Sequence, residues 1–226
     1  MNSSIDSRSF YQTPQGDRAL AVLRAQASKF CPCFPDERIL PLGCGDLLLG
    51  SLPYVPGRMT SAQGDMFSCL VDSKNKPLPD ADIDCVFALH AAKDFSEIEP
   101  LLREVWRVLK GEGRLLMIVP RRHSAWAKNP DAPFGQEQAY SASQIKKALK
   151  SQGFSVLHIG SALFAPPGKS EDSFSFSYKI EKIAPFLPFC CGGVFLIVAQ
   201  KRIRGIAGAK KRVRYIEPPL PLPLPI

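Results

Sequence analysis

The stretch from Asp82 to Pro120 constrains the fold more than any other. It opens with "IDCVFAL" (83–89), a nearly continuous apolar run of the kind found in strands covered on both faces. "FSEIEPLLREVWRVLKGEG" (95–113) follows, with Ile98, Leu101, Leu102, Val105 and Leu109 at the i, i+3, i+4 spacing of a buried helical stripe. Ser96 is placed to cap this helix, Glu99 to complete a capping box, and Gly111 and Gly113 to end it. "RLLMIVP" (114–120) then reads as a second buried strand. Strand, helix and strand at this length form a crossover between parallel strands, which places the chain in the α/β class.

The rest of the chain extends that unit. "DRALAVLRAQASKF" (17–30) has helical periodicity. "RILPL" (38–42) suits a short strand whose end Pro41 demotes. "YVPGRMTSAQ" (54–63) and "FSCLVD" (67–72) have weaker strand character. Ser141 precedes an amphipathic helix closed by Gly153, and "SVLHIGSALF" and "GVFLIVAQK" supply late strands. Residues 166–182 read as an exposed insertion.

A chain of 226 residues supports one domain with a substantial core. Its net charge of +8 is concentrated at one end: seven basic residues and Glu217 lie from Lys201 onward, leaving +2 for the remainder. That tail ends in "PPLPLPLPI", which favours polyproline II. The expected organisation is a helical segment at 1–35, the α/β domain at 36–200 and a basic, proline-rich tail at 201–226. Seven cysteines without a C-x-x-C pair, and an N-terminus without an apolar signal core, point to the cytoplasm. The apolar stretch 183–199 contains Pro185, Pro188 and a Gly-Gly pair, so a buried strand is expected there rather than a membrane span.

"ILPLGCGD", "VDSKNKPLPDADIDCVFALHAAKD" and "LLREVWRVLKGEGRLLMIVP" together resemble the class I S-adenosylmethionine-dependent methyltransferases, in particular the small-molecule-type methyltransferase domain. "FYQTPQG" and "PFGQEQAYS" further resemble an α-proteobacterial methyltransferase-like family of unassigned substrate. The resemblance covers roughly residues 36–162, with the strand at 193–199 as the last of the fold. It implies a Rossmann-like, mostly parallel sheet with an antiparallel last strand, helices on both faces, and S-adenosyl-L-methionine as cofactor.

Ligands of such sheets bind beyond the carboxyl ends of the strands. The resemblance accordingly assigns Gly43, Cys44 and Gly45 to the methionine and ribose portion of the cofactor, and Asp72 to the adenine amino group, a donor that suits a carboxylate. His90 is expected to line the cofactor rather than serve as a base, and Asp84 to orient the start of its strand. Arg121, Trp126, Phe134 and Tyr140 fall on the substrate side, where aromatics and arginine suit a flat or anionic acceptor.

Three departures stand out. Pro41 replaces the motif acid, Leu47 a small residue, and no acid clearly ends the strand candidate at 54–63, where the family holds the ribose hydroxyls. Losing that contact costs about 1.5–3 kcal/mol, one to two powers of ten in affinity. The leading reading is methyl transfer to an unidentified small or medium acceptor. Two alternatives stand beside it: an inactive scaffold that recruits protein partners through its tail, and a nucleic-acid methyltransferase tethered by the basic run.

Overall fold

The computed structural model describes residues 7–34, 37–50, 78–167 and 192–203. The strand candidates at 54–63 and 67–72, most of the insertion at 166–182 and the tail from 204 lie outside them, and so does Asp72.

Among the described residues five strands form one sheet: β1 (Ile39–Gly43), β2 (Ile83–Leu89), β3 (Leu109–Pro120), β4 (Phe154–Ala162) and β5 (Val194–Lys201). Their spatial order is β1-β2-β3-β5-β4. The β1–β2 and β2–β3 pairs are parallel, while β5 runs antiparallel to both of its neighbours, so four strands share one direction. The α/β sheet with an antiparallel last strand is therefore the architecture expected from the sequence.

The alternation along β2 explains its apolar run. Cys85, Phe87 and Leu89 face a core shared with helices α2 (Pro14–Phe30) and α3 (Gly45–Leu49), while Val86 and Ala88 face α4 (Phe95–Val108) and α5 (Ala142–Ser151). Both faces are covered, so from Cys85 to Leu89 the strand is apolar on both parities, and its one acid, Asp84, sits at the start. A short helix, α1 (Ser7–Phe10), precedes α2. Thr13 caps α2 by accepting from the amide of Gly16, and Ser141 caps α5 through a capping box with Gln144. Asp84 orients the strand start as expected. Its carboxylate accepts from the amide of Arg38 (3.0 Å), just before β1, and from Lys110 Nζ (2.7 Å), tying together the starts of β1, β2 and β3.

Four boundaries differ from the sequence reading. The N-cap of α4 is Asp94, not Ser96, and the Glu97 carboxylate accepts from the Lys93 amide at 2.8 Å. The chain had two acidic-box registers two residues apart, and the earlier one aligns Ile98, Leu101, Leu102 and Val105 with the core. Gly111 and Gly113 do not form a separate turn but lie inside β3, which begins at Leu109, directly after the helix. Pro41 does not end β1: it pairs in register with Phe87, and the strand runs on to Gly43. Lys201 belongs to β5 rather than to the tail, with its Nζ donating to the Leu109 carbonyl at 2.6 Å. The stretch 194–199 is a buried strand, and no helix among the described residues is long and apolar enough to cross a membrane.

Candidate functional site

The carboxyl ends of β1 to β4 fall on one edge of the sheet. Gly43 is in register with Leu89, Leu89 with Ile118, and Pro120 and Ala162 both with Val194 at the start of β5. Loops leaving this edge carry most of the residues singled out from the sequence.

At the end of β1, Gly43 adopts φ +63°, and a Cβ there would lie 2.3 Å from the Leu89 carbonyl oxygen. Only glycine fits a left-handed turn so close to a neighbouring strand. The Cys44 amide donates to that same carbonyl at 2.7 Å. Gly45 opens α3, where a Cβ would come within 1.9 Å of the Phe87 carbonyl oxygen. Gly45 and Cys44 are buried, and Gly43 is exposed. The turn thus divides its labour: Gly45 brings α3 onto β2, and Gly43 presents backbone to the outside. Leu47, half-buried, packs into the core beside α2.

His90 follows β2 directly and is held at φ +55°, a conformation that costs a non-glycine residue about 1–3 kcal/mol and persists where the surroundings over-determine it. The surroundings do so here. Its Nδ1 meets the Glu137 carboxylate, and its Nε2 lies 2.6 Å from the Tyr11 hydroxyl. A carboxylate can only accept, so Nδ1 carries the hydrogen toward Glu137, and in that tautomer Nε2 is the acceptor for the Tyr11 hydroxyl. Phe134 covers the imidazole, with ring centroids 4.6 Å apart. The Tyr11 side is equally enclosed: burial, the Glu137 carboxylate and then Cys44 push its phenol well above the usual range, so it stays protonated.

Tyr11 comes from the turn between α1 and α2, and the same segment has a second attachment. The Arg8 guanidinium grips the Asp46 carboxylate with two bonds of 2.9 Å, at the first turn of α3. Residues 7–13 therefore lie across the edge that Gly43 and His90 define. Tyr11 and Glu137 were not singled out from the sequence. The signals were present only as the "FYQTPQG" and "PFGQEQAYS" stretches, which the structure brings to the two nitrogens of one histidine.

The four substrate-side residues separate. Trp126 and Phe134 meet edge to face, 6.1 Å apart, in the α2–α3 core, and the Trp126 indole N–H donates to the Ala165 carbonyl at 2.8 Å. Tyr140 lies in the opposite core, stacked on Phe95 at 5.9 Å. Its hydroxyl is buried without a hydrogen-bond partner among the described residues, and burial, with Glu137 next, pushes its pKa up to about 12. Arg121 extends β3 by bridging to Tyr140 and stands over the Phe195 ring at 5.2 Å. Of the four, Phe134 is the one in contact with His90.

A family model described as a methyltransferase domain matches residues 58–117, a span that runs from outside the described residues through β2, α4 and most of β3. An S-adenosylmethionine-dependent methyltransferase of Thermotoga maritima superposes with a TM-score of 0.55 at 16% identity, over 86% of this chain and 94% of its own. A second, of Archaeoglobus fulgidus, gives 0.52 at 18% identity, over 86% of this chain and 99% of its own. The fold is that of the S-adenosylmethionine-dependent methyltransferases. The [4+2]-cyclase SpnF also shares it, with a TM-score of 0.51 at 18% identity over 80% of both chains, so this fold alone does not fix a reaction. No curated protein matches the sequence.

Proposed function

We propose that the chain transfers a methyl group from S-adenosyl-L-methionine to a small or medium acceptor at the carboxyl edge of its sheet. The observation that carries this reading is the exposed Gly43 turn, set beside His90 at the ends of two adjacent parallel strands in a methyltransferase fold. The residues fit the cofactor at that point: Gly43 leaves backbone exposed at the strand end with no side chain of its own in the way. Asp72 remains the proposed partner of the adenine amino group. When bound, the sulfonium supplies an activated methyl group, so the protein's task is chiefly to position the acceptor and receive its proton.

Tyr11, His90 and Glu137 suit that second task. A proton reaching the Tyr11 oxygen is relayed as the tyrosine's own proton passes to His90 Nε2, and the Glu137 carboxylate stabilises the resulting imidazolium. This arrangement favours acceptors whose nucleophilic oxygen or nitrogen carries a hydrogen.

Calorimetric titration with S-adenosylmethionine and S-adenosylhomocysteine tests the reading. Both should bind with Kd below about 1 mM, and an Asp72→Ala variant more weakly than the wild type. Absence of heat with either ligand removes the enzymatic reading.

A further inference from the structure

A second cluster of reactive groups lies on the α2–α3 side of the sheet, away from the His90 network. Cys31, the C-cap of α2, places its sulfur 3.6 Å from that of Cys85 in β2. Both are buried, at 1% and 0% exposure. They do not sit in featureless core. A partly open cavity of about 210 Å³ reaches Cys31, lined by Cys31, Cys33, Ala27, Ser28, Leu48 and Phe87 among others, and Cys85 lies behind Cys31, outside that lining. That space holds several waters and adjoins Cys31. Cys33 is half-buried on the same cavity, and Arg114, fixed by bonds of 2.6 and 2.8 Å to Glu37, acts electrostatically on Cys31.

We infer that Cys31 and Cys85 form a peroxide-oxidisable dithiol, with Cys31 as the attacking sulfur and Cys85 as the resolving one. The proximity supplies the geometry, and the cavity supplies a route for a molecule the size of hydrogen peroxide. The division of roles follows from access: Cys31 lines the cavity and Cys85 does not. The contact with Cys85 and the Arg114 guanidinium also favour the Cys31 thiolate, while burial holds the Cys85 thiol up. Thiolate character selects the attacker.

In the first step the Cys31 thiolate attacks one peroxide oxygen, the O–O bond breaks, and the departing hydroxide takes a proton to become water. Cys31 is then a sulfenic acid. Cys85 attacks that sulfur, the S–O bond breaks, and the hydroxyl leaves with the Cys85 proton as a second water. Two thiols lose two electrons, and one peroxide is reduced to two waters. The bond ties the far end of α2 to β2, while Tyr11, just before the near end of α2, is held to His90, just after β2. The inference is independent of whether the carboxyl edge transfers methyl groups.

The test uses the full chain, reduced, exposed to a few equivalents of hydrogen peroxide and quenched with N-ethylmaleimide. Peptide mapping without reduction should show the 30–38 peptide joined to the one carrying Cys85, two hydrogens lighter than the sum, with Cys33 alkylated. A Cys33→Ser variant should keep the link. A Cys85→Ala variant should instead accumulate a dimedone-reactive sulfenic acid at Cys31. Alkylation of both Cys31 and Cys85 after peroxide, once the chain is denatured for quenching, overturns the proposal. So does a link between Cys31 and Cys33, or loss of the Cys31–Cys85 link in Cys33→Ser while that variant retains the native melting temperature.

Discussion

Tyr11 and Tyr140 are buried phenols with opposite hydrogen-bond fortunes, and that contrast sets what each substitution should do. Tyr11 donates to His90, so Tyr11→Phe leaves the Nε2 lone pair buried and unpaired. Urea unfolding at neutral pH should show a loss of about 1–3 kcal/mol. The Tyr140 hydroxyl has nothing to lose: it is buried without a partner among the described residues. Tyr140→Phe should therefore be neutral or stabilising at neutral pH. At high pH both wild-type phenols act in the same direction. Each pKa is raised in the folded state, so above about pH 10 the unfolded chain releases its protons first and stability falls as pH rises. For Tyr140 that decline spans pH 10 to about 12. Denaturation midpoints across this range should fall less steeply in Tyr140→Phe than in the wild type, and equal slopes would contradict the assignment.

At the scale of elements, the Gly-Cys-Gly turn is the clearest case of one residue docking a helix. Gly45→Ala sets a Cβ against the Phe87 carbonyl oxygen, which neither β2 nor α3 can vacate cheaply. Gly50, at the other end of α3, has φ +57° but only the Arg24 side chain nearby, at 3.6 Å. Gly50→Ala should cost about 1–2 kcal/mol of left-handed strain, and Gly45→Ala at least about 3 kcal/mol of forced displacement. Chemical denaturation of the two variants checks the order, and a reversal would mean that α3 is not docked through Gly45. The elements themselves were largely legible in the sequence. β2, α4 and β3 follow from an apolar run, a helical stripe and a second apolar run, each a local signal. The boundaries were not, because they depend on partners: β1 continues through Pro41 since its pairing with β2 is set by the neighbouring strand, and Gly111 and Gly113 extend a strand that local pattern reads as a turn. The site was legible only on its strand ends. Gly43 and His90 announce themselves by position, but Tyr11 and Glu137 reach His90 across 79 and 47 residues, and no local periodicity records such a meeting.

At the scale of the whole molecule, the question is where the sheet stops and the basic appendage starts. Composition places the border at Lys201, the first of the seven basic residues near the end of the chain. Packing moves it. Lys201 is 4% exposed, pairs in register with Phe154, donates to the Leu109 carbonyl and stands 4.1 Å over the Trp106 ring. Burial lowers its pKa, as expected for an ammonium drawn from water into a sheet edge. The charge that the tail can offer a partner is thus one less than the sequence count. Any truncation meant to test the tail must also spare Lys201, or it will confuse lost binding with lost folding. Two chains, one ending at Gln200 and one at Ile203, separate the effects because they differ only in residues 201–203. The shorter should be less stable by about 1–3 kcal/mol, the scale of a hydrogen bond from a charged donor together with the exposure of its acceptor. Thermal melts of the pair measure this directly. Equal melting temperatures would return Lys201 to the tail, and a retained difference makes the chain ending at Ile203 the proper reference for measuring whether the basic run draws nucleic acid to the domain.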